Sequence, residues 1–210
     1  MADRKGAPPR AWQRMLSGRR LDLLDPSPLD IEIEDIAHGI ARVARWNGQT
    51  TGDHAYSVAQ HSLLVEEIVR LLAPSSSAED RIAALLHDAP EYVIGDMISP
   101  FKQALGGDYK TVERRLEAAV HLRFGLPHTL PAALKALIKR ADQVSAYLEA
   151  TQLAGFAEGE AVTWFGRPRG IDCSRFDMTP LPATQAETLY LQRFFAIEAA
   201  RVNEMNRKTG

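Results

Sequence analysis

The chain has 210 residues, is 45% hydrophobic, and balances 25 basic against 27 acidic residues for a net charge of -2. A chain of this size buries one substantial core, and its near-neutral charge excludes the broad positive field that holds a nucleic-acid polymer, so a small substrate is expected. A single cysteine, Cys173, excludes an internal disulfide or a thiol zinc knuckle and suits a reducing cytoplasm, and no apolar run approaches the roughly 18 residues that cross a bilayer.

Residues 1–29 read as an N-terminal extension. Arg4, Lys5 and Arg10 lie in it with no apolar stretch behind them. Asp30 is placed to cap a helix on which Ile33, Ile36, Ile40 and Val43 recur at three- and four-residue spacing, ending near Asn47-Gly48. A second helix is expected over 55–72, with Val58, Leu64, Val65 and Ile68 on one stripe, before Pro74 and a loop from Ser75 to Ser77. The third starts near Glu79 and carries Ile82, Leu85 and Leu86. Pro90, which lacks an amide donor and crowds the preceding turn, ends or kinks it. Residues 93–108 read as irregular. A fourth helix near 109–124 aligns Val112, Leu116 and Val120 and stops at Gly125 and Pro127. The fifth, opened by Pro131, runs to about 152 with Leu134, Leu137, Ile138, Ala141, Val144 and Leu148. From 155 to 182 the periodicity gives way to glycine, proline, arginine and aromatic residues, an irregular connection that reads as a lid, a subunit contact or an excursion. Thr184 and Glu187 match a capping box before a last helix with Leu191, Phe194, Phe195, Val202 and Met205. The expected fold class is all-α, a single helical bundle over 30–210.

Four polar residues fall on the packing faces of these helices. His61 follows Val58 by three and precedes Val65 by four; His87 follows Ala83 by four, with Asp88 beside it; Asp142 follows Ile138 by four. Buried polar groups need partners, and an unpaired buried carboxylate costs on the order of several kcal/mol. One divalent cation shared by two imidazoles and two carboxylates satisfies all four groups and leaves positions for water and substrate. Each residue also has a plainer reading: His61 as a hydrogen-bonded core histidine, Asp142 as an ion-pair partner of Lys139 or Arg140.

Taken in order, His61, then His87-Asp88, then Asp142 resembles the HD-domain superfamily of metal-dependent phosphohydrolases, and within it the 5′-deoxynucleotidases. The likeness extends over roughly residues 30–150. It is carried by Arg45-Trp46, Val58-Ala59-Gln60-His61-Ser62-Leu63, Leu86-His87-Asp88-Ala89-Pro90-Glu91, Gly95-Asp96 with Ser99-Pro100, and Lys139-Arg140-Ala141-Asp142. The resemblance implies an HD-type helical bundle that removes the 5′-phosphate from nucleoside monophosphates, deoxy forms above all. It implies one divalent ion held by His61, His87, Asp88 and Asp142, with Glu91 as the acid/base group one turn after His87. It also assigns Arg45 to phosphate, Trp46 to packing against the sugar where it disfavours a 2′-hydroxyl, Asp96 to the sugar side, and Lys102 to a weaker phosphate contact. The donor set accepts cobalt, manganese, zinc, iron, nickel or magnesium without discrimination. A homodimer is implied as well, and neither a membrane nor a nucleic-acid polymer is an expected partner. Pro90 stands where a small hydroxyl residue is the family's habit, and the loop before His61 is one residue longer, placing His54 in it.

Other readings make different demands on the sequence. Alarmone hydrolysis needs an acidic pair after the His-Asp step, and here Glu91 is followed by Tyr92. A dinuclear cyclic-dinucleotide phosphodiesterase needs extra histidines and a Gly-Tyr-Pro signature, and neither is present. Two alternatives stay open: an HD-type module that binds metal or a partner without catalysis, and a hydrolase of another small phosphorylated nucleotide.

Overall fold

The computed structural model describes residues 11–97 and 107–209. Ahead of the helices, β1 (Trp12–Arg14) and β2 (Arg20–Asp22) pair antiparallel, with Gln13 opposite Leu21. Three residues per strand are too few to leave an alternating pattern, so the sequence did not announce them. The hairpin is tied down by burial of Met15 and Leu21 and by polar contacts. The Ser17 amide and hydroxyl donate to Asp35 at 3.0 and 2.5 Å, and Arg19 and Arg123 both bond Glu32.

Helix α1 (Ile33–Ile40) is shorter than its apolar period suggested. Asp30 does not cap it. Pro28 presets a 3-10 turn over Pro28–Asp30 that Ser27 caps, and Glu32 occupies the N-cap position of α1 without a side-chain bond. Gly39 lies against Tyr92, where an added Cβ would sit 2.7 Å from the Tyr92 Cβ, so only glycine permits this approach. Instead of continuing to residue 48, the backbone turns again at Arg45–Gly48, with Trp46 (φ 56) and Asn47 (φ 50) both left-handed. Two consecutive non-glycine residues in that region store strain of a kind found at ligand sites.

Helix α2 (Val58–Leu72), capped by Ser57, runs through the centre of the bundle and packs on α1 and on the helices over Ala78–Leu85, Ala132–Gln152 and Ala183–Thr209. Helix α3 (Ala78–Leu85) opens with a capping box between Ser77 and Asp80, so the last serine of the expected loop is the start signal. A bend over 86–90 leads to the single-turn α4 (Glu91–Ile94). Then come α5 (Gly107–Arg123), α6 (Ala132–Gln152), α7 (Glu158–Phe165) and α8 (Ala183–Thr209). The chain is all-α apart from the hairpin, with eight α-helices among the described residues. Fully buried Ile36, Ile40, Ile68, Ile82, Leu85, Leu116, Leu148 and Tyr190 form its core, each aliphatic side chain contributing about 1.5–3 kcal/mol by leaving water.

The Thr184–Glu187 box does not form. The Pro182 carbonyl starts α8 by accepting from Gln185 and Ala186, while Glu187 accepts from Arg42 at 2.7 Å and faces His38 at 3.3 Å. Within 155–182 the chain builds α7 and a short turn at Cys173–Arg175. Phe156, Ala161 and Phe165 pack with Tyr147 and Ala150 of α6 and with Trp46. No helix among the described residues is long and apolar enough to cross a membrane.

Candidate active site

Three stretches bring their polar side chains to one end of the α2–α6 contact. His61 sits on the first turn of α2 and is fully buried; His87 and Asp88 sit on the bend after α3; Asp142 lies midway along α6. Helix α3 ends at Leu85, ahead of Pro90, and the turn over 86–90, closed by the His87 amide on the Ala84 carbonyl and the Ala89 amide on the Leu86 carbonyl, sets His87 and Asp88 beside His61 of α2. His87 Nε2 lies 3.3 Å from His61 Nε2 and 3.2 Å from Asp88 Oδ2. His61 Nε2 lies 3.3 Å from Asp88 Oδ2 and 3.5 Å from Asp142 Oδ1. Donor atoms of His61, His87 and Asp88 all fall within 4.8 Å of one another. Asp142 is half-buried rather than deep in the core, and its second oxygen is 3.5 Å from Lys139 Nζ. The plainer pairing with Lys139 is therefore also present, while Arg140 turns away to the Arg169 carbonyl.

The ring tautomers test whether these residues fit a metal. His87 Nδ1 is 2.9 Å from the Ala84 carbonyl and donates to it. His61 Nδ1 is 2.5 Å from Glu149 Oε1 and 3.1 Å from Ser145 Oγ. Each Nδ1 is thus held by the protein, while His61 Nε2 faces His87, Asp88 and Asp142, and His87 Nε2 faces His61 and Asp88. Two imidazole lone pairs and two anions at such separations repel unless positive charge lies among them. Burial and Arg45 oppose charge on His61, yet Glu149, Asp142 and Asp88 reverse this and raise its pKa well above the ordinary value. Burial likewise pushes the Asp142 carboxyl up, but His61 and His87 bring it down to about 2. The end of the bundle therefore demands a cation or a proton, and two nitrogen and two oxygen donors suit a first-row divalent ion.

Behind His61 lies a carboxylate that the sequence reading did not select. Glu149 is fully buried on α6. It binds the His61 ring and the Ser145 hydroxyl through Oε1, and through Oε2 it accepts from Trp46 Nε1 at 2.9 Å and Arg45 Nε at 3.1 Å. Burial alone raises its pKa; Arg45, His61 and the Trp46 indole overcome that and hold it at about 2. A carboxylate that orients a ligating imidazole sets its tautomer and basicity. The signal was available: Glu149 follows Asp142 by seven and Leu148 by one, on the same apolar stripe that singled out Asp142.

Arg45 also reaches Asp96, at 3.0 Å, and Glu149, Asp96, Asp88 and Glu91 outweigh its burial to raise its pKa. Trp46 is clamped by its bond to Glu149 and by ring contacts with Phe156 and Phe165 at 5.5 and 5.8 Å. Glu91 is buried at the head of α4, with its amide bonded to the Asp88 carbonyl. The fold thus gathers Arg45, Trp46, Asp96 and Glu91 around the cluster. His54 is exposed in its loop, and Lys102 lies outside the described residues.

Residues 36–158 match the family described as 5′-deoxynucleotidase YfbR-like. An uncharacterised protein of Rhodobacter capsulatus is 69% identical over 159 residues, 76% of this chain and 81% of that one. The uncharacterised protein YfdR of Escherichia coli strain K12 is 31% identical over 166 residues, 79% of this chain and 83% of that one. The mostly helical bundle and its imidazole–carboxylate cluster match an all-α HD-type domain. The chain belongs to the YfbR-like 5′-deoxynucleotidase family, and at family level it is a hydrolase of the 5′-nucleotidase type.

Proposed function

We propose that the protein is a divalent-metal phosphomonoesterase that removes the 5′-phosphate of nucleoside monophosphates, with deoxyribonucleotides as substrates. The observation that carries this reading is the approach of His61 Nε2, His87 Nε2, Asp88 Oδ2 and Asp142 Oδ1, with neighbouring separations of 3.2 to 3.5 Å. These four residues would hold the ion, which when bound supplies Lewis-acid stabilisation of phosphoryl charge and lowers the pKa of water.

The protein's own groups do the rest. Glu149 orients His61 and balances Arg45. The Arg45 guanidinium, fixed through Nε and one terminal nitrogen, keeps its other terminal nitrogen for a phosphate oxygen. Glu91 takes the proton from attacking water and returns it to the 5′ oxygen as the phosphorus–oxygen bond breaks, leaving nucleoside and inorganic phosphate. Asp96 meets the sugar, and Trp46, locked in place, disfavours a 2′-hydroxyl; Lys102 belongs to the same reading as a phosphate contact. The catalytic unit is residues 30–210, working in the cytoplasm as a homodimer for which the exposed Phe195, Val202 and Met205 of α8 offer an apolar face.

The test is phosphate release from a panel of ribo- and deoxyribonucleoside monophosphates with several metals, wild type against Glu91→Ala. The expected outcome is metal-dependent release, favouring deoxy substrates, that falls about 100-fold or more in the variant. Turnover of Glu91→Ala within a few-fold of wild type ends the role of that carboxylate, and metal-loaded protein inert toward every nucleotide favours the non-catalytic alternative.

A further inference from the structure

Residues 155–182, irregular by their composition, carry a helix whose apolar side closes on one residue of the candidate site. The chain reverses after α6 at Gly155 (φ 76), and the Phe156 amide donates to the Ala150 carbonyl at 3.0 Å, which brings the segment back against α6. Ala161 of α7 is fully buried and packs with Tyr147 and Ala150 of α6. So small a residue lets the two helices approach, and Phe165, one turn later, falls on the same side of α7. Gly166 ends the helix directly after it.

Three rings meet there. Trp46 lies 5.5 Å from Phe156 and 5.8 Å from Phe165, at interplanar angles of 58° and 81°, and the two phenylalanine rings lie 6.1 Å apart. These are the tilted and edge-on arrangements that aromatic pairs prefer. Phe156 falls within the residues that match the family and Phe165 beyond them.

Trp46 needs the support. Its backbone is left-handed (φ 56, ψ 29), a conformation that a bulky residue keeps only where its surroundings hold it. The bond from Nε1 to Glu149 Oε2, at 2.9 Å, fixes one point of the indole. A single point leaves the ring free to swing about the line from Cβ to that nitrogen, and the residue is only half-buried. Phe156 and Phe165 supply two further points and block the swing. An apolar wall rejects an added hydroxyl by only about 100-fold even when well placed. A wall free to rock forfeits much of that factor, because discrimination depends on where the blocking atoms stand.

We infer that Phe156 and Phe165 are positioning residues that set the preference for deoxy over ribo substrates by holding the Trp46 indole in place. The inference rests on the nucleotidase reading, in which Trp46 disfavours a 2′-hydroxyl. It gives the connection after α6 a part in specificity and none in the chemical step.

The test measures kcat and KM for a deoxyribonucleoside 5′-monophosphate and for the ribonucleotide of the same base. Phe165→Leu and Phe156→Leu each remove a ring and keep an apolar side chain. The expected result is about a tenfold fall in the deoxy-over-ribo ratio of kcat/KM, carried by a gain on the ribonucleotide, with the deoxynucleotide within about threefold and bound metal unchanged. Phe165→Tyr, which restores a ring, keeps the wild-type ratio. So does Trp164→Leu, on the same helix but at a position 71% exposed. Equal losses on both substrates, an unchanged ratio in both leucine variants, or an equal shift in Trp164→Leu overturn the inference. Should a leucine variant fail to fold, the methionine variant at that position, whose flexible side chain fills more of the gap, carries the same expectation. A wild type that releases no phosphate, or shows no preference between the sugars, removes the Trp46 reading and this inference together. A preference lost in Trp46→Ala but kept in both leucine variants removes the role of the two phenylalanines alone.

Discussion

Two glutamates, Glu66 on α2 and Glu149 on α6, are both fully buried and both bound by cationic side chains, yet they do different things. Glu66 accepts from Arg81 of α3 at 2.6 Å and from Arg193 of α8, so it pins three helices together at a place with no ligand chemistry. Glu149 accepts from Arg45 and Trp46 and faces His61, so the strained 45–48 turn and a candidate ligand hang on one carboxylate. The surroundings separate the two roles. The arginines around Glu66 are 24% and 32% exposed and keep part of their water, whereas Arg45 is only 13% exposed. A buried carboxylate is by itself a structural fact; it becomes a functional one when its partner has a second atom aimed at the reacting centre.

The comparison breaks most sharply if each carboxylate is removed. Glu149→Ala should destabilise the fold by about 3–5 kcal/mol because Arg45, left with Asp96 alone, and the buried His61 ring and Trp46 indole all lose their shared acceptor. Glu66→Ala should cost about 1–3 kcal/mol. Chemical denaturation measures both, and the gentler Glu149→Gln should weaken metal binding about 10- to 100-fold by calorimetry while Glu66→Gln leaves it unchanged.

Acid sharpens the contrast. The Glu149 carboxyl is held at about 2 against an ordinary value of 4.5, and a depressed folded-state pKa contributes stability above the unfolded value. That contribution, on the order of 3 kcal/mol, is complete above about pH 5 and is lost as pH falls through 4.5 toward 2. Metal-free Glu149→Gln should therefore show a flatter decline of stability over that range than the wild type, and parallel curves would count against the pairing.

The smallest effect should come from Ser145→Ala, which removes the 2.9 Å bond to Glu149 and the contact with His61. A loss of about 1 kcal/mol and a few-fold drop in metal affinity are expected. A larger change in affinity than in Glu149→Gln would move the ordering role from the carboxylate to the hydroxyl.

Much of the bundle was legible because its helices obey the 3.6-residue period. Val58, Val65 and Ile68, or Ile138, Ala141 and Leu148, announce their faces, and all are buried. The cluster was legible for the same reason: His61, His87 and Asp142 stood where apolar residues were due. Glu149 obeys that rule as well, seven residues after Asp142, but Leu148 beside it gives the same turn an ordinary apolar face. Local signals failed where a tertiary contact outbid them. The Thr184–Glu187 pair lost its cap to the Pro182 carbonyl and to Arg42. The first helix stopped early, and Trp46 and Asn47 turned left-handed in a segment whose Trp46 indole bonds Glu149, about a hundred residues away along the chain.

By itself, the amino-acid order determined that the protein is helical and where its inward-facing donors lie, since periodicity and breakers such as Pro90 act within a few residues. Only the tertiary structure decided that Glu149 backs His61 and that Arg45 joins it to Asp96. Those relations join positions tens of residues apart, and the strength of each charge there depends on how much water the packed helices have excluded.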